Sequence, residues 1–136
     1  MSIVSNIAVS GLNDASRRIA NAASNIVNAS STAALPSSAS DPYTGFTPQD
    51  VVTLSDSVGG NNLGVSTTSA PRSPPYGVAY DPNSKLANAQ GLVAVPNVDL
   101  ASELVAANAA QTNYTADAAV IRIAQKTEKS LLDILR

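Results

Sequence analysis

The 136-residue sequence predicts a mainly α protein with a small β-rich insertion: long N- and C-terminal helices paired as a coiled coil, with a β/loop segment between them. All eight prolines fall between Pro36 and Pro96, and six of the seven glycines lie in the same interval. Both residue types break helices, so their confinement marks a non-helical middle between two helical flanks. Each flank also carries apolar residues at heptad spacing, the repeat that keeps one helix face against a partner. The division read from these signals is 1–30, 31–96 and 97–136.

In the first flank Ala8, Leu12, Ala15, Ile19, Ala22 and Ile26 follow one another at steps of four and three. Asn13, Asp14, Arg17, Arg18 and Asn21 lie off that line, and Arg17-Arg18 reads as an exposed helix face. A helix over 3–28 is about 40 Å long at 1.5 Å per residue. It ends near Asn28, before a Ser/Thr/Ala run that leads to Pro36.

The last flank follows Pro96, with Asn97 or Asp99 as N-cap and Glu103 suiting the positive end of the dipole. No Pro or Gly interrupts Asp99 to Arg136, a helix of roughly 55 Å, too long to fold back inside so small a domain. Its C-terminal half shows a seam at Val120, Ala124, Thr127, Leu131 and Ile134, widened by Ile121, Ile123, Leu132 and Leu135. Toward the N-terminal half the seam weakens, through Leu100, Leu104, Ala107, Gln111 and Tyr114. Lys126, Glu128, Lys129 and Asp133 read as a solvated face.

The middle supplies four strand candidates: "DVVTLSDS", "NLGVSTTSA", "YGVAYD" and "GLVAV". "VGGNNLG" (58–64) lacks the lysine of a phosphate-binding loop and reads as a hairpin turn. "PRSPPYG" (71–77) reads as an extended connector, and the Ser/Ala/Pro-rich residues 30–46 as flexible in the isolated chain.

Composition narrows the function. The formal net charge is −2 and 13% of residues are charged, which argues against a nucleic-acid partner. There is no histidine and no cysteine, and the aspartates of the middle have no paired base, so neither catalysis, a metal, a cofactor nor a small-molecule substrate is expected. No run is apolar enough for a membrane span, and the N-terminus lacks the pattern of a cleavable signal peptide. The apolar fraction is 44%, but much of it is alanine, with four Tyr, one Phe and no Trp. Such a core is thin, because a buried Leu, Ile or Phe contributes about 1.5–3 kcal/mol and alanine much less. Two helices sharing an alanine-rich stripe leave other apolar residues facing water, which points to further copies or homologous partners covering them.

Three segments resemble the flagellar axial proteins of rod, hook and hook junction. "ASNIVNA" (23–29) is similar to the Ser-Asn-(Ile/Leu)-Ala-Asn-Ala motif that closes their N-terminal helix, with Val27 in place of alanine. "YDPNSKLANAQGLVAVPNVDLASELV" (80–105) resembles the approach to the C-terminal helix in proximal rod proteins of the basal body, with Leu92 where an aromatic is common. "TNYTADAAV" and "AQKTEKSLLDILR" resemble their C-terminal helix, with Asn113 and Asp117 at variance. The resemblance implies a structural subunit of the rod that polymerises into a hollow drive shaft, transmits torque and encloses the export channel. It implies homologous rod subunits, copies of itself and the flagellar type III export apparatus as partners, and a rod crossing the periplasm. Another axial subunit, or a soluble helical adaptor or export chaperone, are the alternatives; the Pro/Gly-rich centre counts against a chaperone.

The candidate subunit-interface residues are therefore Ala8, Leu12, Ala15, Ile19, Ala22, Ser24, Asn25, Ile26 and Asn28, with Val120, Ile121, Ala124, Thr127, Leu131, Ile134 and Leu135. For Ser24, Asn25 and Asn28 two readings stand: side-chain hydrogen bonds to neighbouring subunits or to the loop that follows, or a helix cap at Asn28 with Ser24 and Asn25 facing water.

Overall fold

Two long helices frame the computed structural model, which describes residues 3–38, 40–58 and 61–134. Helix α1 spans Ile3–Asn28 and helix α2 spans Leu100–Ile134, about 39 and 52 Å at 1.5 Å per residue. Asp99 caps α2: its Oδ1 accepts from the backbone N–H of Ala101 at 2.9 Å and of Ser102 at 3.3 Å. Those bonds hold its carboxyl below the usual carboxylate range. Asn28 closes α1 by donating to the Ser24 carbonyl at 2.8 Å.

The helices pack antiparallel. Asn25 bonds Glu103 near one end, Gly11 abuts Asp117 midway, and Val4 shares a groove with Ala124 near the other. Because α2 is the longer by about 13 Å, its residues from Thr127 onward run past the first described residues of α1.

Between the helices lie four strands in two antiparallel pairs. Strands β1 (Gln49–Val58) and β2 (Asn61–Pro71) form a hairpin, paired from Gln49↔Pro71 to Val58↔Asn61. The hairpin turn read over 58–64 is narrower than expected, because Val58, Asn61, Asn62 and Gly64 pair within the strands; Gly59-Gly60 lie outside the described residues. Strands β3 (Tyr76–Tyr80) and β4 (Leu92–Pro96) form the second pair. All four correspond to the strand segments read from the sequence.

The segment 30–46 departs from the flexible reading. Ala33 exchanges two 2.9 Å backbone bonds with Ala94 of β4, and the Tyr43 ring lies 4.5 Å from that of Tyr76. Composition counts the Ser and Pro of this segment but not the sheet edge and tyrosine that hold it.

The core is small. Among the described residues the buried apolar side chains are Ala8, Ala15, Ala22, Ala33, Ala94 and Ala110, with Val93, Pro48 and Pro96. Ala8, Ala15 and Ala22 recur every seventh residue, so a single small row brings α1 against its neighbours. The chain exposes 8980 Å², whereas a compact monomer of its mass exposes about 6,600 Å².

The hairpin comes close to α1 at Gly64, whose φ is +118° and whose absent Cβ would collide with Ser10 Oγ. Gly64→Ala is expected to lower stability by about 1–2 kcal/mol, read as a shift in the urea midpoint without a change in slope.

Candidate functional site

The hairpin lies on α1 through a row of polar side chains. Ser10 Oγ accepts from the Val65 N–H at 3.1 Å. Asp14 Oδ1 accepts from Thr53 at 2.7 Å and Thr67 at 2.9 Å, and its Oδ2 accepts from Arg18 at 2.7 Å. Arg18 also donates to Thr53, and the Asn21 amide exchanges bonds with Ser69 of 3.0 and 3.2 Å. Ser10, Asp14, Arg18, Asn21 and Asn25 sit at steps of four, four, three and four. They form a second seam beside the alanine row. Arg18 is therefore tied into the hairpin interface, and only its neighbour Arg17 has the exposed position read for both.

Asp14 feels opposing influences. Burial, the largest, raises its pKa; the bonds from Arg18, Thr53 and Thr67 and the charge of Arg18 lower it and prevail. A depressed folded pKa contributes stability that is full above the unfolded value of about 3.9. That contribution is lost as pH falls through the lower folded value. Asp14→Asn is expected to lower stability at neutral pH by about 1 kcal/mol and to flatten the acid limb of a stability-against-pH curve.

At the last position of the row four segments meet. Asn25, 1% exposed, donates through Nδ2 to the Gln49 carbonyl at 3.0 Å and to Glu103 Oε1 at 3.1 Å. Its Oδ1 accepts the Gln49 N–H at 3.0 Å. The side-chain amide thus pairs with the start of β1 as a neighbouring strand would. Arg72, just beyond β2, donates to Glu103 Oε1 at 2.8 Å, to Asp50 Oδ1 at 2.6 and 3.0 Å, and to the Asn97 carbonyl at 3.0 Å. Hydrogen bonding to Asp50, opposed by burial and aided by Glu103, binds the guanidinium proton more firmly than usual. Among the described residues no buried side-chain N or O atom lacks a partner.

Three of the four groups in this junction carried no site signal in the sequence: Gln49, Arg72 and Glu103. Glu103 reads as a dipole-favouring first-turn acid, and Arg72 as part of a proline-rich connector. The available signal was the heptad spacing of polar residues on α1, parallel to the apolar one.

The candidate interface residues fall into three groups by burial. Ala8, Ala15, Ala22 and Asn25 are buried within the chain, while Leu12, Ile19, Ile26, Asn28, Ile121 and Ala124 are half-buried. Ser24, Val120, Thr127, Leu131 and Ile134 are exposed, and Leu135 lies outside the described residues. Asn25 does not face water: it is 1% exposed and its amide bonds Gln49 and Glu103 of its own chain.

The face that α2 withdraws from solvent also differs from the predicted seam. Glu103, Ala107, Ala110, Asp117, Ile121 and Ala124 are buried or half-buried. Leu100 and Leu104, placed on the seam by apolar spacing, are 50% and 54% exposed. The physical reason is Glu103: its bonds to Asn25 and Arg72 fix the rotation of the helix start, and opposing alanines favour small residues there.

Among the described residues two apolar depressions stand open on α2. One is an open groove of about 340 Å³ lined by Val4, Val120, Ile123, Ala124, Thr127 and Glu128; further along the same helix Leu131, Leu132 and Ile134 are exposed. The other is a shallow depression of small residues on α2, Ala101, Ser102, Val105, Ala106 and Ala109. No cluster of metal-ligating side chains occurs among the described residues, and no helix there is long and apolar enough to cross a membrane.

No protein-family model matches the chain. It is 32% identical over 136 residues to the flagellar basal-body rod protein FlgC of Agrobacterium fabrum (strain C58), covering 100% of this chain and 96% of that protein. An alignment of that identity along the full length, on a frame of two long helices joined by short antiparallel strands, places the chain in the FlgC family of flagellar basal-body rod proteins, which are structural components of the flagellum and not enzymes.

Proposed function

We propose that this chain is a rod subunit that polymerises with copies of itself and with homologous rod subunits into the hollow drive shaft of the flagellar motor. In this reading the paired helices form an inner coiled-coil layer around the export channel, and the strand pairs lie outside it. The subunit reaches the rod through the flagellar type III export apparatus, and the rod crosses the periplasm. It then transmits torque by packing alone.

The observation that carries the reading is a surplus of exposed surface on which large apolar side chains lie along the helices. The chain exposes 8980 Å² against about 6,600 Å² for a compact monomer, a difference in the range that obligate interfaces bury. That surplus is organised along the helices. Leu131, Leu132 and Ile134 are 56%, 68% and 79% exposed on the part of α2 that runs beyond α1. Leu104 and Val105 are 54% and 69% exposed near its start. Within the proposal, Val120, Thr127, Leu131 and Ile134 are direct assembly contacts. Ala8, Leu12, Ala15, Ile19, Ala22 and Ile26 serve assembly indirectly, by holding the chain's own helices together.

Leu131→Ser combined with Ile134→Ser tests this. Neither side chain is buried, so the unfolding midpoint of the free chain is expected to move by less than about 0.5 kcal/mol. Motility in soft agar and incorporation into purified basal bodies are expected to fall sharply. Normal incorporation of a variant with both residues replaced contradicts the proposal.

A further inference from the structure

The junction at Asn25 joins parts of the chain that no single element spans. One carboxylate oxygen, Glu103 Oε1, accepts from Asn25 on α1 and from Arg72 at the exit of the hairpin. Asn25 holds both main-chain groups of Gln49, where β1 begins, and Gln49 pairs with Pro71, where β2 ends. Both ends of the hairpin base are therefore secured by groups that converge on one residue of α2. Glu103 is 6% exposed, and a carboxylate so withdrawn from water depends on its donors being in place.

The other ties between hairpin and helix, at Ser10, Asp14, Arg18 and Asn21, involve α1 alone. The base of the hairpin differs in needing α2 as well. We propose that Glu103 is a positioning residue acting as a latch: its shared oxygen makes seating of the hairpin base conditional on pairing of α1 with α2. The consequence is an order of events within the subunit. Gln49 and Asp50 at the start of β1 and Arg72 past the end of β2 take their final position only after the terminal helices have met, whereas Thr53 and Thr67 further along the hairpin are held by α1 alone. The latch is internal to one chain, so it holds or fails independently of assembly.

Residue-resolved hydrogen exchange on the full-length free chain tests it. In Glu103→Ala the amides of 49–53 and 68–70 are expected to exchange at least about tenfold faster, while those of 8–19 in α1 change less than about twofold. Equal acceleration everywhere, or no acceleration at the hairpin base, overturns the proposal. If Glu103→Ala does not fold, Arg72→Lys decides. Its ammonium keeps the charge but cannot span Asp50, Glu103 and the Asn97 carbonyl together. The same local acceleration is expected, and an unchanged hairpin base overturns the latch.

A second readout separates a shared latch from independent ties. Asn25 and Arg72 make no hydrogen bond to each other, yet both donate to Glu103 Oε1, so Asn25→Ser and Arg72→Lys meet only there. The double variant is expected to exceed the larger single effect by no more than about threefold. An acceleration equal to the product of the two single effects means separate ties and refutes the shared oxygen as the coupling element.

Discussion

Asn25→Ala is expected to destabilise the chain by about 3–4 kcal/mol, the largest effect of any single truncation. The substitution leaves the Gln49 N–H and carbonyl without their side-chain partner and removes one of two donors to a buried carboxylate. Each buried group so orphaned costs about 1–3 kcal/mol, and the loss at Glu103 is the heaviest because the group is charged. Asn25→Asp is no milder. It restores an acceptor for Gln49 but sets a second carboxylate against Glu103, where the amide now donates across 3.1 Å. Urea titration followed by far-ultraviolet circular dichroism measures both, and a shift of under about 1 kcal/mol for either contradicts the role given to Asn25.

Ala15→Leu is expected to cost about 3 kcal/mol, the upper part of the range for overpacking a close-packed site. Ala15 is 1% exposed at the middle of the alanine row, with Ala8 and Ala22 seven residues to either side at 4% and 2%. Three extra heavy atoms have no space there without forcing the helices apart. Separation at that point also lengthens the bonds that Asn25 makes ten residues on, so the loss is expected to appear in hairpin exchange as well as in global stability. Ala15→Gly, by contrast, acts through helix propensity and costs about 1 kcal/mol. If Leu is tolerated as well as Gly, the row is not a packing contact.

Much of the architecture was legible because it follows from local rules. Proline and glycine mark the middle, period-two alternation marks β1, and the α1 seam follows from apolar spacing, since alanines there meet little but other small groups. Asp99 as the cap of α2 follows from its side-chain chemistry. The rotation of α2 was not legible in the same way. Leu100 and Leu104 look like seam residues to any rule that weighs only apolarity, yet a buried glutamate at 103 decides which face turns inward. Arg72 and Asp50 meet across 22 positions, and Asn25 and Glu103 across 78, so nothing in their neighbours announces them. The polar row on α1 was visible as spacing, but its meaning depended on the hairpin folding back over it.

The assembly surfaces were legible only as a surplus. An excess of apolar residues on the widened face of the C-terminal helix shows that something remains to be covered, without saying which residues the chain covers for itself. The structure divides them: Ala124 and Ile121 lie against the chain's own body, while Leu131 and Ile134 extend past it.

The central claim is that the terminal helices complete their packing only in the rod. Hydrogen exchange of the free subunit, compared with the same chain in isolated basal bodies, tests it most directly. The account predicts fast exchange along 120–134 in the free chain and strong protection of the same amides in the assembly. Strong protection of that segment in a free monomer or dimer contradicts it, because the helix would then already have its partner.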